Sequence, residues 1–164
     1  MGEQFTLDYL AALTAQGIVD GLTRENGKAK PKPRELETLV TKALGVLQSQ
    51  GVYALVLFLF SRSGSKKEPS KAEELIATTL LARLWNIREP LAALQKLKEK
   101  GQSQLEGQVA QVNSNKNEWL KGFAELSKNL DDLLLVRDLY EQTLIYTRYL
   151  AKAMDGTGES AVSG

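Results

Sequence analysis

The chain contains no cysteine and no histidine in 164 residues. Without cysteine it can form neither a disulfide nor a thiolate metal site. Without histidine it lacks the side chain that titrates naturally near neutrality and the commonest metal ligand. A Ser-His-Asp triad, a zinc hydrolase site and a histidine-bearing di-iron bundle are thereby excluded. Only lysine- or carboxylate-based chemistry is left, so the chain reads as a non-enzyme without cofactor or metal. Net charge is also missing as a signal. Lys+Arg 21 against Asp+Glu 20 leaves +1, so attraction to phosphate must come from local clustering. No apolar run reaches the roughly 20 residues that span a bilayer. The N-terminus lacks a basic segment followed by an apolar signal core. Together these absences predict a soluble, cytoplasmic protein with no membrane partner.

Helical patterning is what the chain does have. Apolar residues make up 43%, enough for one core in one domain. Leu7, Leu10, Ala11, Ile18, Val19 and Leu22 recur at helical spacing and predict a helix over 6–22. Gly17 and Gly21 share a face of it and would let another helix come close. A basic loop over 24–34, with Lys28, Lys30, Lys32 and Arg34, is restricted by Pro31 and Pro33. A second helix begins near Pro33 and turns Leu36, Leu39, Val40, Ala43, Leu44 and Leu47 inward. Gly51 ends or bends it.

The run Val52 to Phe60 is apolar throughout. By composition it is helix or strand, but the chain offers no strand to pair with it. A lone strand would bury unpaired backbone groups at about 1–3 kcal/mol each. It is therefore predicted as a helix, buried at the centre of the fold. Ser61 to Pro69 forms a second basic loop. Ser70 and Glu73 have the spacing of a capping box. The helix after them buries Leu75, Ile76, Leu80, Leu81, Leu84 and Ile87. Pro90 opens or kinks the next, with Leu91, Leu94 and Leu97 inward and Gly101 as its stop. The segment 102–117 is poor in core residues and predicts a weak helix, then a loop over 113–117. Trp119, Leu120, Phe123 and Leu130 support another helix. Asp131 or Asp132 would cap the last, whose apolar set is Leu134, Leu135, Tyr140, Leu144, Tyr146, Leu150 and Ala153. Residues 156–164 are small and polar and predict a flexible tail. The expected architecture is all-α: one compact domain over 1–155, a bundle of about six or seven helices.

Few residues suggest chemistry. The pairs Glu73-Glu74 and Asp131-Asp132 suit the positive end of a helix better than acid/base work. Gly64-Ser65-Lys66-Lys67 lacks the second glycine and preceding strand of a phosphate-binding loop. It reads as a flexible basic loop that touches phosphate nonspecifically, or as a solvated connection. Tyr146-Thr147-Arg148-Tyr149 mixes aromatics with a base, and Arg148 and Lys152 share a helix face. That face is a phosphate-contacting patch or simply a solvated one. Trp85 and Trp119 read as core or interface anchors.

Two stretches carry a family resemblance. Leu39, Ala43, Leu44, Leu47, Gln50-Gly51-Val52, Leu57-Phe58-Leu59 and Ser61 resemble the core signature of the small all-helical subunit of Cmr-type (type III-B) CRISPR RNA-silencing complexes. Tyr140, Thr143, Leu144, Tyr146, Leu150 and Ala151-Lys152-Ala153 resemble the last helix of that family. The chain departs from the family by its polar segment over 102–117 and its Lys-Pro loop over 28–34. The resemblance implies a non-catalytic scaffold in antiviral defence. Copies of such a subunit stack beside larger backbone subunits and turn basic side chains toward the guide RNA and target RNA. On this chain the expected RNA-backbone contacts are Arg62, Lys66, Lys67, Arg148 and Lys152. The alternatives are a small helical subunit of another CRISPR effector type, a helical protein–protein adaptor without nucleic acid, and, last, a carboxylate enzyme.

Overall fold

The computed structural model describes residues 6–23, 30–66, 69–101 and 109–163. Every regular element among them is helical: α1 (Leu7–Thr23), α2 (Pro33–Gln50), α3 (Val52–Arg62), α4 (Ala72–Asn86), α5 (Pro90–Lys100), α6 (Val109–Ser114), α7 (Lys116–Glu125), a 3-10 turn (Leu126–Lys128) and α8 (Leu130–Ser163). The all-α bundle holds, with α7 and α8 as the separate helices expected after 117.

Helix α2 forms where its pattern asks. Pro33 stands in the first turn, where its missing amide costs nothing. The Glu35 carboxylate accepts the Lys32 N–H at 3.0 Å. Leu36, Leu39, Val40, Ala43, Leu44 and Leu47 are its buried face. Gly51 then closes α2, donating its N–H to the Leu47 carbonyl, and opens α3, accepting from Leu55. Its φ of +96° is open to glycine and strained for other residues, so the chain can change direction without a loop.

Helix α3 is not the centre of the fold. It buries Val52, Leu55, Val56, Leu59 and Phe60, but Tyr53 and Leu57 are exposed, Leu57 at 46%. An apolar run with no polar residue cannot by its pattern reveal which side lacks a neighbour. The central helix is α4, where Leu75 through Ala82 and Leu84 are all buried among α1, α2, α3 and α6. Ala77, Thr78, Thr79 and Ala82 are small enough for neighbours on every side. Thr78 satisfies its buried hydroxyl on the Glu74 carbonyl at 2.6 Å. Gly17 of α1 does receive a close contact: Arg83 of α4 crosses it and donates to its carbonyl at 3.3 Å.

Several helix ends differ from expectation. The capping box at Ser70 does not form. Ser70 instead donates its N–H to Glu74, while Glu73 turns to Arg62. Ion pairing across the α3–α4 loop displaces the local cap. Asn129, rather than Asp131 or Asp132, caps α8 by accepting the Asp132 N–H at 3.1 Å. The aspartates sit in the first turn, where the helix dipole favours them. The loop expected over 113–117 shrinks to a turn at Asn115 between α6 and α7. In α5, Leu91 is 71% exposed, because Pro90, Ala93 and Leu97 set the inner face.

Helix α8 is 34 residues, about 51 Å at 1.5 Å per residue. Its backbone stays helical through Ser163, over the stretch expected as a tail. Elongating a formed helix costs far less than starting one. Its buried stripe is Val136, Tyr140, Thr143, Thr147 and Ala151, with Leu139 and Leu144 flanking. Leu134 lies outside it, 47% exposed. The buried hydroxyls of Thr143 and Thr147 donate to carbonyls one turn back at 2.8 and 2.7 Å. Hence threonines hold positions that hydropathy assigns to leucine. The helix lies along α1 and α2.

Candidate nucleic-acid interface

The expected basic residues fall into two places. Arg62 ends α3, and Lys66 follows in the loop; Lys67 lies outside the described residues. Arg148 and Lys152 are on α8. Bonds made by their neighbours show how the two places relate. On α8, Arg137, Arg148, Lys152 and Asp155 share a flank by helical spacing. Arg137 donates to the Gln48 carbonyl at the end of α2 (3.0 Å), and Asp155 lies 3.6 Å from Arg34 at its start. The two helices are thus antiparallel, and this flank faces α2.

Between the start of α2, the start of α4 and the far part of α8 lies a cleft of about 640 Å3. Lys32, Arg34, Lys42, Glu35, Glu73 and Asp155 supply its charges. Arg62 reaches it by pairing with Glu73 at 2.5 Å, with its guanidinium over the Phe58 ring at 5.0 Å. Lys152 stands one turn before Asp155. Of the expected contacts, Arg62 thus joins the cleft through Glu73 and Lys152 neighbours it through Asp155, while Lys66 and Arg148 are not among its lining residues.

Its carboxylates are occupied. Glu35 caps α2, Glu73 holds Arg62, and Asp155 faces Arg34. Among the described residues, the side chains of Lys42, Lys66, Arg148 and Lys152 find no hydrogen-bond or ion-pair partner. Of the cations lining the cleft, Arg34 is held by Asp155, whereas Lys42 is without a partner among the described residues and open to a phosphate. The basic character of Lys32 and Arg34 was legible in the Lys-Pro loop. Lys42 was missed, although Arg34, Thr38 and Lys42 repeat every fourth residue, the signature of one helix face.

The loop carrying Lys66 is held from elsewhere in the chain. The Asn113 side chain of α6 donates to the Ser63 carbonyl at 3.2 Å and to the Lys66 carbonyl at 2.8 Å. Its oxygen lies 3.1 Å from the buried Ser63 hydroxyl.

Tyr146 packs differently from expectation. Only half-buried, it donates its hydroxyl to Asp8 of α1. Among the described residues no cluster of three metal-ligating side chains occurs, and no helix is long and apolar enough to cross a membrane. Fold and surface define a helical bundle with a cleft lined by charges of both signs. No family model, no curated protein and no solved structure matches this chain.

Proposed function

We propose that this chain is a non-catalytic small subunit of a CRISPR ribonucleoprotein effector of Cmr type, acting in antiviral defence in the cytoplasm. It stacks beside other subunits and steadies guide–target RNA by contacting the phosphate backbone. The observation that carries the reading is the cleft lined by Lys32, Arg34 and Lys42, with Arg62 held at its edge by Glu73 and Lys152 one helical turn from Asp155. Exposed Tyr53 and Leu57 on α3 supply an apolar surface of the kind a stacked subunit needs. A helical adaptor without RNA is the second reading, favoured by the even balance of three bases and three acids lining the cleft.

A salt series separates the two. Removing one phosphate-binding cation lowers the steepness of log affinity against log salt by about 0.7–0.9. Reversing Arg62, Lys66, Arg148 and Lys152 to glutamate in an assembled effector is expected to weaken target-RNA binding and flatten that slope. Lys128→Glu serves as control. Lys128 pairs with Glu125 just before α8, roughly 38 Å of helix from Asp155. Equal binding by the fourfold variant, or purification of the chain from its source cell without guide RNA or effector subunits, would overturn the proposal.

A further inference from the structure

We infer that Asn113 is the positioning residue of the basic loop, holding the backbone that presents Lys66 to RNA; this rests on the RNA-contacting reading above. The carboxamide replaces a strand partner the loop does not have. Its two N–H groups go to the carbonyls of Ser63 and Lys66, three residues apart, and its oxygen faces the Ser63 hydroxyl. Both carbonyl bonds fix which way the amide points, since an oxygen in that place would face two acceptors. Ser63 is fully buried and shares its single hydroxyl proton between Asn113 and the Phe60 carbonyl at 3.0 Å. Clamp and loop are 47 to 50 residues apart in sequence, so the pairing is a product of the fold.

The clamp acts on the loop rather than on the core. Its bonds reach loop carbonyls, and the Lys66 side chain stays exposed and unpartnered among the described residues. A cation on a backbone already ordered in the free protein meets phosphate without a further ordering cost. Asn113 thus sets the affinity of Lys66 without touching RNA.

The test has a structural and a functional arm. In the first, Asn113→Ala is digested with trypsin under native conditions. Cleavage after Lys66 is expected to accelerate about tenfold as the loop opens, while circular dichroism shows the helices intact. Unchanged cleavage overturns the inference whatever RNA does. In the second, labelled target RNA is titrated into guide-loaded effector reconstituted with unmodified chain, Asn113→Ala, Lys66→Ala or both. Asn113→Ala is expected to weaken binding about three- to tenfold, and Lys66→Ala to add nothing in its presence. Asn113→Asp, which keeps the shape and loses both donors, is expected to behave like alanine. Effects that multiply independently overturn the positioning role. Salt-independent RNA binding by the unmodified chain would instead sink the RNA reading, and the trypsin arm would still report on the clamp. Should Asn113→Ala fail to fold, Ser63→Ala removes one bond of the clamp and is carried through both arms with the same expected directions.

Discussion

Two glycines in helix interiors separate what a missing methyl does in different surroundings. At Gly45 of α2 a Cβ would meet nothing within 4 Å. At Gly122 of α7 it would stand 2.6 Å from the Trp85 ring carbon Cζ3. That ring is stacked on Trp119 at 4.7 Å, edge-on to Phe123 at 5.2 Å, and covered by Arg88 at 3.7 Å. Moving the ring aside would break these contacts. Alanine is worth up to about 1 kcal/mol over glycine in a helix, whereas overpacking costs typically about 1–3 kcal/mol. Gly45→Ala is therefore expected to raise the melting temperature and Gly122→Ala to lower it, both by thermal unfolding. The tryptophans themselves were legible as anchors. That Gly122 makes room for one was not, because the partner lies 37 positions away.

At the level of elements, α3 and α4 exchange the roles their compositions suggest. The greasier helix has a free side and the more polar one is enclosed. Hydropathy measures what a residue tolerates, while burial depends on how many neighbours arrive. Leu55 and Leu57 test this within α3. Leu55 is fully buried, so Leu55→Ala is expected to cost about 2–5 kcal/mol. Leu57→Ala should change stability by less than about 0.5 kcal/mol. Urea unfolding measures both, and equal losses would mean that the run is enclosed on all sides. Helix α2 was the more legible element, because its polar and apolar residues alternate with the helical period and mark the inner face. In α8 the same logic misplaced Leu134. The true stripe uses Thr143 and Thr147, whose bonds back to their own helix make them acceptable inside.

Across the whole molecule, one hydroxyl ties the long outer helix to the central one. Tyr140 of α8, fully buried, donates to the Leu84 carbonyl of α4 at 2.7 Å. Burial pushes its phenol far above the ordinary 10.0, against a smaller opposing pull from Arg88. The folded protein keeps this proton after the unfolded chain has released it. Stability is thus unaffected below the unfolded value and falls as pH rises beyond it. Tyr146, held by its bond to Asp8, shifts in the same direction. Tyr140→Phe is expected to lose about 1–2 kcal/mol at neutral pH, and to decline less steeply than the unmodified chain between about pH 9 and 11. Denaturant titrations at the two ends of that range would show it. A parallel decline would mean that Tyr140 ionises within the fold.

The sequence by itself determined that the chain is helical, where α2 and α3 meet, and that no cysteine or histidine side chain is present in these 164 residues. The first two follow from local spacing and from the glycine at 51. Only the tertiary structure decided which helix is central and which flank of α8 faces α2. It also decided that Lys42, Glu73 and Asp155 line one cleft, with Arg62 joined to it through Glu73. Their sequence separations carry no information about distance. Arg62 is drawn to the cleft by Glu73, Asp155 meets Arg34 across two antiparallel helices, and Asn113 reaches back to fix the loop between α3 and α4. Each is a pairing of groups whose local helices would have formed without the other.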